Sequence, residues 1–325
     1  IGLVAMIVIS RIQPEFWLRW AWVLYGISIA LLLSVLLFGE SVNGARRWIN
    51  IGGLQFQPSE IAKFTLIVLF AKLTKKFGKK ARQFRKGVLG FGAALLGILV
   101  PLALEKHLSA IMLMGMVAVV MMFIAGTHPK WLAAGAAAAV VFVVIYVNFM
   151  GYAGDRITAW RHPEQDPSDT GYQILQSLYA IGSGGLFGLG FGKSKQKYLY
   201  LPFQYNDYIF AIVCEELGLV GCLLVMLMLV LIIGRCIWVG TRSPDYMRKL
   251  ICFGAASALI FQVCINVGMC LGVAPVIGLT LPFVSYGGSS LVTLYAMVGL
   301  VSGVYARPTA KGKQRYIRAP QSYHL

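Results

Sequence analysis

The 325-residue chain is predicted to be an all-α, polytopic membrane protein, and three observations carry that prediction. Its mean hydropathy is +0.74, with 58% hydrophobic and only 13% charged residues, far from the composition of a soluble domain. Apolar runs of about 20 residues, the length that spans a bilayer as a helix, recur along the chain. These runs are near-continuous and do not alternate in period two. A lipid-facing backbone must satisfy its own hydrogen bonds, so they read as helices and not as barrel strands.

Polar breaks divide the apolar runs into nine spans, at 1–10, 17–38, 60–73, 88–104, 107–126, 130–149, 209–240, 250–272 and 289–306. The third is short enough to be tilted or partly buried. The chain opens inside an apolar run, IGLVAMIVIS, without a basic leader or cleavage site, so the reading is a truncated span with one earlier helix missing. The loop TKKFGKKARQFRKG carries seven basic and no acidic residues, which places it in the cytoplasm. Alternation from there also puts TRSPDYMRKL and the basic tail 307–325 (Arg307, Lys311, Lys313, Arg315, Arg318) on that side. The excess of 29 Lys+Arg over 12 Asp+Glu is thus explained by topology and lipid headgroups, without nucleic acid.

The same alternation places 39–59, 105–106, 150–208 and 273–288 outside. Of the 12 acids only Glu15 and Asp245 fall on the cytoplasmic side. A protein that keeps its few carboxylates on one face works on that face, and a loop the length of 150–208 is functional more often than idle. No transporter-type repeat of broken helices is found. The chain reads as one membrane domain, 1–325, with 150–208 as its large extracytoplasmic loop. Its six cysteines lie in or beside spans and imply neither a disulfide framework nor a zinc motif. His107, His128, His162 and His324 are scattered over both faces and suggest no metal cluster; His107 reads as a satisfied turn residue.

In the first outer loop Arg46 and Arg47 sit among Trp48, Ile49, Ile51, Leu54 and Phe56, the composition of an interfacial segment with arginines near phosphates; a snorkelling anchor reads equally well. Pro58 opens a helix on which Glu60 and Lys63 stand three apart and can pair. A charged pair at a membrane must be satisfied, so it should face the interior, as a structural or a functional pair. Further on, Arg156 and Arg161 could meet an anion, while Asp166, Pro167 and Asp169 read as turn chemistry. The run GSGGLFGLGFGKSKQK allows a nest of amides followed by Lys193, Lys195 and Lys197, a candidate diphosphate cradle lacking the Walker spacing. A re-entrant turn is the plainer reading. The Pro/Gly-broken APVIGLTLPFVSYGGSS, with Ser285, Ser289 and Ser290, reads as a cavity wall or a plain loop leading into the last span.

Asp207 lies between an aromatic loop and a long apolar run. In the first turn of a helix it would be drawn toward its ionised form by the dipole and nearby lysines, and away from it by desolvation. Spacing leaves open a general base and a helix N-cap. On a continuous helix Glu215 would lie about 12 Å along the axis from Asp207, with Glu216 facing the opposite side. That exceeds the roughly 5 to 9.5 Å of paired glycosidase acids, so one carboxylate acting alone fits better.

The blocks GARRWI with QPSEIAKF, GYQILQSLYAIGSGGLFGLGFGKSKQK with YLPFQYNDYIFAIVCEELG, and GLTLPFVSYGGSS resemble, in order, the signatures of the SEDS family of shape, elongation, division and sporulation proteins, which includes FtsW, RodA and SpoVE. The resemblance covers essentially the whole chain and lies nearest the FtsW/SpoVE branch. It implies a bundle of about ten helices, nine of them in this chain. It further implies a peptidoglycan glycosyltransferase in the bacterial cytoplasmic membrane, acting in cell division or sporulation. Such an enzyme polymerises lipid II on the outer face and releases undecaprenyl diphosphate.

By the same resemblance Asp207 matches the family's essential aspartate, with the role of general base on the acceptor sugar hydroxyl. Arg46, Arg47, Glu60, Lys63, Lys193, Lys195, Lys197, Ser285 and Ser289 are the candidate substrate-binding residues, the cations serving the leaving diphosphate. No cofactor is required by these motifs, though a divalent cation, Mg2+ or Mn2+, stays open. The implied partner is a monofunctional class B penicillin-binding protein, a transpeptidase, with divisome, elongasome or sporulation proteins. Phe203 and Tyr205 replace the family's frequent Glu and His, Glu105-Lys106-His107-Leu108-Ser109-Ala110 lacks the aspartate of the usual PDxGTA-like turn, and Ile277 replaces a threonine. A lipid II transporter and a non-catalytic scaffold for the transpeptidase are the rival readings.

Overall fold

The computed structural model describes residues 1–42, 45–52, 54–149, 151–165, 170–198 and 200–307. Asp166, Pro167, Asp169, the tail cations beyond Arg307 and His324 lie outside the described residues. In chain order the helices are α1 (Gly2–Arg11), α2 (Pro14–Phe38), α3 (Pro58–Phe77), α4 (Leu89–Leu104), α5 (Leu108–Ile124), α6 (Pro129–Phe149), α7 (Gly151–Arg161), α8 (Thr170–Gly184), α9 (Ile209–Arg242), α10 (Tyr246–Cys270) and α11 (Gly288–Ala306). Pro14–Phe38, Phe84–Leu104 (α4 with the π-helical turn Phe84–Val88 that precedes it), Ile209–Arg242, Tyr246–Cys270 and Gly288–Ala306 are long and apolar enough to cross a membrane. Shorter apolar helices occupy Gly2–Arg11, Leu108–Ile124 and Pro129–Val141. The protein is a multi-pass, all-α membrane protein, as the hydropathy predicts.

The segment read as interfacial is a three-stranded antiparallel sheet: β1 (Glu40–Val42), β2 (Ala45–Ile51) and β3 (Leu54–Phe56). Ile49 pairs with Phe56 and Ile51 with Leu54, and Gly52, at φ 59°, turns the chain between them. The alternation in ARRWINI is a period-two pattern, but it is too short to stand out beside the helical runs.

The chain falls into two compact units. The first comprises Ile1–Leu132, Ile233–Ala258 and the chain from Gly288; the second comprises Ala133–Ile232 and Leu259–Gly287. At the centre of the first is α3, with 15 of its 20 residues buried, Glu60 and Lys63 among them. Its modest hydropathy follows from this position, because protein and not lipid surrounds it. Ser28 Oγ meets Thr65 Oγ1 at 2.9 Å between α2 and α3. Gly299 lets α11 close on α1, since a Cβ there would lie 2.6 Å from Met6 O. Glu15 and Asp245, the two acids assigned to the cytoplasm, converge on Arg248, which donates to Glu15 Oε1 from Nη2 at 2.6 Å and lies 3.8 Å from Asp245 Oδ2.

In the second unit α9 is not continuous. Gly218, at φ 64° and ψ −165°, breaks it. Breaking a helix frees carbonyls and amides that an apolar environment cannot satisfy. The glycine-rich turn after α8 takes them up. Leu189 N donates to Glu215 O at 2.9 Å and Gly190 N to Glu216 O at 3.0 Å, while Leu219 N donates to Gly185 O at 3.0 Å and Val220 N to Leu186 O at 3.2 Å. The approach is too close for side chains, because a Cβ on Gly188 would sit 2.2 Å from Glu216 O and one on Gly218 would sit 2.3 Å from Gly188 N.

Gly188→Ala and Gly218→Ala are each expected to destabilise the protein by about 3 kcal/mol, since left-handed backbone strain is added to a steric clash. Gly182→Ala, in α8 with open space around its Cβ, should leave the thermal midpoint in detergent unchanged or raised. Equal midpoints for all three variants would refute the interlock.

Candidate active site

The second unit carries two Pro-Phe turns, one in the chain leading to α9 and one in the chain between α10 and α11. Phe203 follows Pro202 and Phe283 follows Pro282, at φ 55° and φ 64°. A left-handed phenylalanine costs about 1–3 kcal/mol, and strain of this kind in two loops of one unit points to a site shaped for more than stability. Asp207 lies between these turns, half-buried and two residues before α9. The N-cap position belongs to Tyr208, whose carbonyl accepts from Ala211 N at 3.0 Å and Ile212 N at 3.4 Å. Asp207 is therefore not the helix cap that spacing allowed.

Three successive carbonyls fix its backbone. Tyr205 O accepts from Tyr286 N at 2.8 Å, Asn206 O from Ser285 Oγ at 2.6 Å, and Asp207 O from Asn266 Nδ2 at 2.8 Å. Ser285 Oγ also accepts from Leu281 N at 2.7 Å. The structure thus uses the Ser285 hydroxyl to brace this turn, where the sequence offered it to substrate. The Asp207 carboxylate borders Gly278, whose φ of 70° and missing side chain leave room: a Cβ there would be 3.3 Å from Oδ2. Arg156 donates to Val276 O at 2.8 Å and Trp160 Nε1 to Gly272 O at 2.8 Å, so α7 braces the same wall. Its arginine supports backbone as well as offering charge. Tyr208 is fully buried with its hydroxyl unpartnered, and burial, then Cys270 and Asp207, push the phenol upward against Arg156. It stays neutral and does not compete as a base.

The glycine run does not offer the open amide nest expected of a diphosphate cradle. Its amides at 189 and 190 bond α9 carbonyls, and the segment after it is held by two buried carboxylates. Glu215 accepts from Ser194 Oγ and from Lys195 N at 2.9 Å. Glu216 pairs with Lys197 Nζ at 2.5 Å, and that hydrogen bond raises the lysine's pKa. The glutamates, set aside as partners of Asp207 by helix geometry, are the clamp on the lysine segment. Lys193 and Lys195 remain exposed.

The remaining sequence candidates lie in the first unit. Lys63 Nζ donates to Glu60 Oε2 at 2.9 Å, both buried. Arg47 Nη2 donates to Lys106 O at 2.6 Å and Arg46 Nη1 to Leu36 O at 2.9 Å. Ser289 Oγ accepts from Gln57 N at 3.1 Å and donates to Gln55 O at 3.2 Å, tying α11 to the sheet. His107 is not the satisfied turn residue expected. It is buried, its Nδ1 lacks a partner, and its Nε2 is 3.4 Å from Gln57 Nε2. Glu105 is buried too, with Oε1 unpartnered. Burial raises Glu105 from 4.5 to about 8, with Arg47 opposing. Burial, Arg47 and Lys63 lower His107 from 6.5 to about 3. The missing aspartate of this turn is legible in the sequence; the burial of its replacements within the field of Arg47 and Lys63 is not.

All six cysteines are free thiols. Among the described residues no three His, Cys, Asp or Glu side chains gather to hold Mg2+ or Mn2+, so the residues present do not fit a protein-caged cation.

The profile of the cell cycle protein family of FtsW, RodA and SpoVE matches residues 1–309. The chain belongs to this family. It is 37% identical over 313 residues to a probable peptidoglycan glycosyltransferase FtsW of Geobacter metallireducens, covering 94% of this chain and 82% of the relative. Stage V sporulation protein E of Bacillus subtilis is 36% identical over 307 residues, covering 94% and 84%. Among solved structures, a chain described under "Structural coordination of polymerization and crosslinking by a peptidoglycan synthase complex" superposes with a TM-score of 0.80 at 31% identity, covering 97% of this chain and 87% of that one. The SEDS-type bundle implied by the sequence blocks is therefore the fold of this FtsW/RodA/SpoVE-family protein.

The buried turn makes a pH prediction. Folded Glu105 keeps a proton that the unfolded chain loses from pH 4.5 upward, so stability falls as pH rises toward 8. His107 acts oppositely, and its contribution is lost as pH falls from 6.5 toward 3. Glu105→Gln should flatten the decline in thermal midpoint between pH 5 and 8 while leaving the acid-side decline; parallel curves for variant and wild type would refute it.

Proposed function

We propose that this family member is a peptidoglycan glycosyltransferase that polymerises lipid II on the extracytoplasmic face of the membrane, in cell division or sporulation. The observation that carries the reading is the Asp207 turn. It presents one half-buried carboxylate, its backbone pinned at three successive carbonyls, within the block that matches the family's aspartate. The relatives' names as peptidoglycan glycosyltransferase and sporulation protein support the same reading.

In this mechanism Asp207 accepts the proton of the acceptor sugar hydroxyl as its oxygen attacks the anomeric carbon of the donor. The bond from that carbon to the diphosphate oxygen breaks, configuration inverts, and undecaprenyl diphosphate leaves with the electron pair. A rigid base is useful here because a general base works only within hydrogen-bond reach of its proton. Exposed Lys193 and Lys195 are the cations of this unit suited to the departing diphosphate. Lys197 steadies the segment through Glu216. Arg46, Arg47, Lys63 and Ser289 are the substrate candidates of the first unit, Lys63 through its pair with Glu60. The structural neighbour belongs to a synthase complex that coordinates polymerisation with crosslinking, which supports a transpeptidase of the class B penicillin-binding type as partner.

Asp207→Asn, assayed with lipid II beside a transpeptidase partner, is expected to lower glycan-strand formation by about 10²–10⁴-fold, the range of general-base contributions, without moving the thermal midpoint. Wild-type rates in the variant would remove Asp207 as the base. Passage of lipid II across liposomes, with no strand formed by the wild type, would replace the enzyme reading by transport.

A further inference from the structure

Asn266 lies on α10, fully buried, in the second unit. Its Nδ2 donates to Asp207 O at 2.8 Å and to Leu279 O at 2.6 Å. Two carbonyl acceptors can be served together only by an NH2 group, so the orientation of this amide is dictated by its partners. The other end, Oδ1, is left buried without a hydrogen-bond partner. A buried acceptor left unmade is unusual and calls for a reason. What the amide provides is its pair of donated bonds, since a leucine of similar volume would fill the site but leave both carbonyls without this donor.

The two carbonyls belong to the two sides of one gap. Asp207 contributes its carboxylate on one side, and on the other Gly278, immediately before Leu279, approaches that carboxylate closely enough that a Cβ would stand 3.3 Å from Oδ2. The side chain that holds both backbones sets their separation. Gln262, one helical turn earlier on α10, repeats the device by donating from Nε2 to Thr280 O and Thr280 Oγ1, each at 3.1 Å. Residues four apart lie on one helix face, so α10 presents a pair of amides to the 279–280 backbone. Asn266 is the one that also reaches the Asp207 carbonyl.

We propose that Asn266 is a positioning residue for Asp207, spanning from α10 to the Asp207 and Leu279 carbonyls so that the carboxylate is held at a fixed distance from the Gly278 wall. The role rests on the reading of Asp207 as the base. Asn266 touches neither substrate nor reacting atoms in this scheme. Its removal should leave substrate binding intact and misplace the base, which separates it from a residue that merely stabilises the fold.

The test measures lipid II polymerisation by the full chain with its transpeptidase partner. Asn266→Leu should lower kcat by about 10²-fold, the scale of an ångström-sized misplacement, with KM for lipid II within about twofold. Gly278→Ala, which leaves Asn266 intact and adds a methyl against Oδ2, should show the same split. A kcat for Asn266→Leu within about threefold of wild type, or a loss carried by KM, overturns the proposal. If Asn266→Leu yields no folded protein, Gly278→Ala decides: lowered kcat at constant KM upholds the fixed gap, and unchanged kcat overturns it. Asp207→Asn run beside them separates the two claims. Activity retained there removes the base itself, whereas activity lost there and kept in Asn266→Leu removes only the positioning role.

Discussion

A helix that stops inside an apolar environment must pass its unmet carbonyls and amides to another segment. This constraint organises the second unit. Gly218 breaks α9, and the turn at 185–190 answers with four backbone hydrogen bonds. Glycine is required on both sides because the two backbones meet at distances that leave no space for Cβ. The neighbouring chain inherits this geometry. The segment leaving the interlock is clamped by Glu215 and Glu216, both just before the break. The same helix, traced back to its start, leads to Asp207.

At that end the problem is different, because the Asp207 carboxylate, the proposed base, lies outside regular structure and must still be held still. The solution is a set of donors from α10 and from the 285–286 turn, one for each of three consecutive carbonyls. Two left-handed phenylalanines after prolines shape the flanking turns at a conformational cost. Such strain persists only where surrounding bonds over-determine the backbone, and these carbonyl anchors supply them. The result is a carboxylate whose place is set through its own main chain.

The first unit uses burial in another way. Its central helix carries an ion pair inward, and the turn between α4 and α5 buries a glutamate and a histidine near an arginine and a lysine. Desolvation favours the neutral form of both titratable groups. The family blocks account for the pair on α3. The 105–107 turn departs from the family pattern, and its replacements are as deeply buried as the residues that keep to the pattern.

Helices and their apolar, membrane-spanning lengths were legible in the sequence, because bilayer thickness and unsatisfied backbone impose length and hydropathy on any spanning segment. Glu60 and Lys63 could be paired from their spacing alone, a local geometry that a helix dictates. The family blocks singled out Asp207, though spacing by itself leaned toward a cap. Only the tertiary structure decided that Tyr208 takes the cap, that Ser285 braces a backbone turn, that the glycine run seals a broken helix, and that Asn266 reaches Asp207. The cap is a matter of where the helix register begins, and each of the others is a bond between residues remote in sequence or a backbone angle at a single residue. Neither leaves a period or a composition to read, since both arise only when the chain's own packing brings donor and acceptor together.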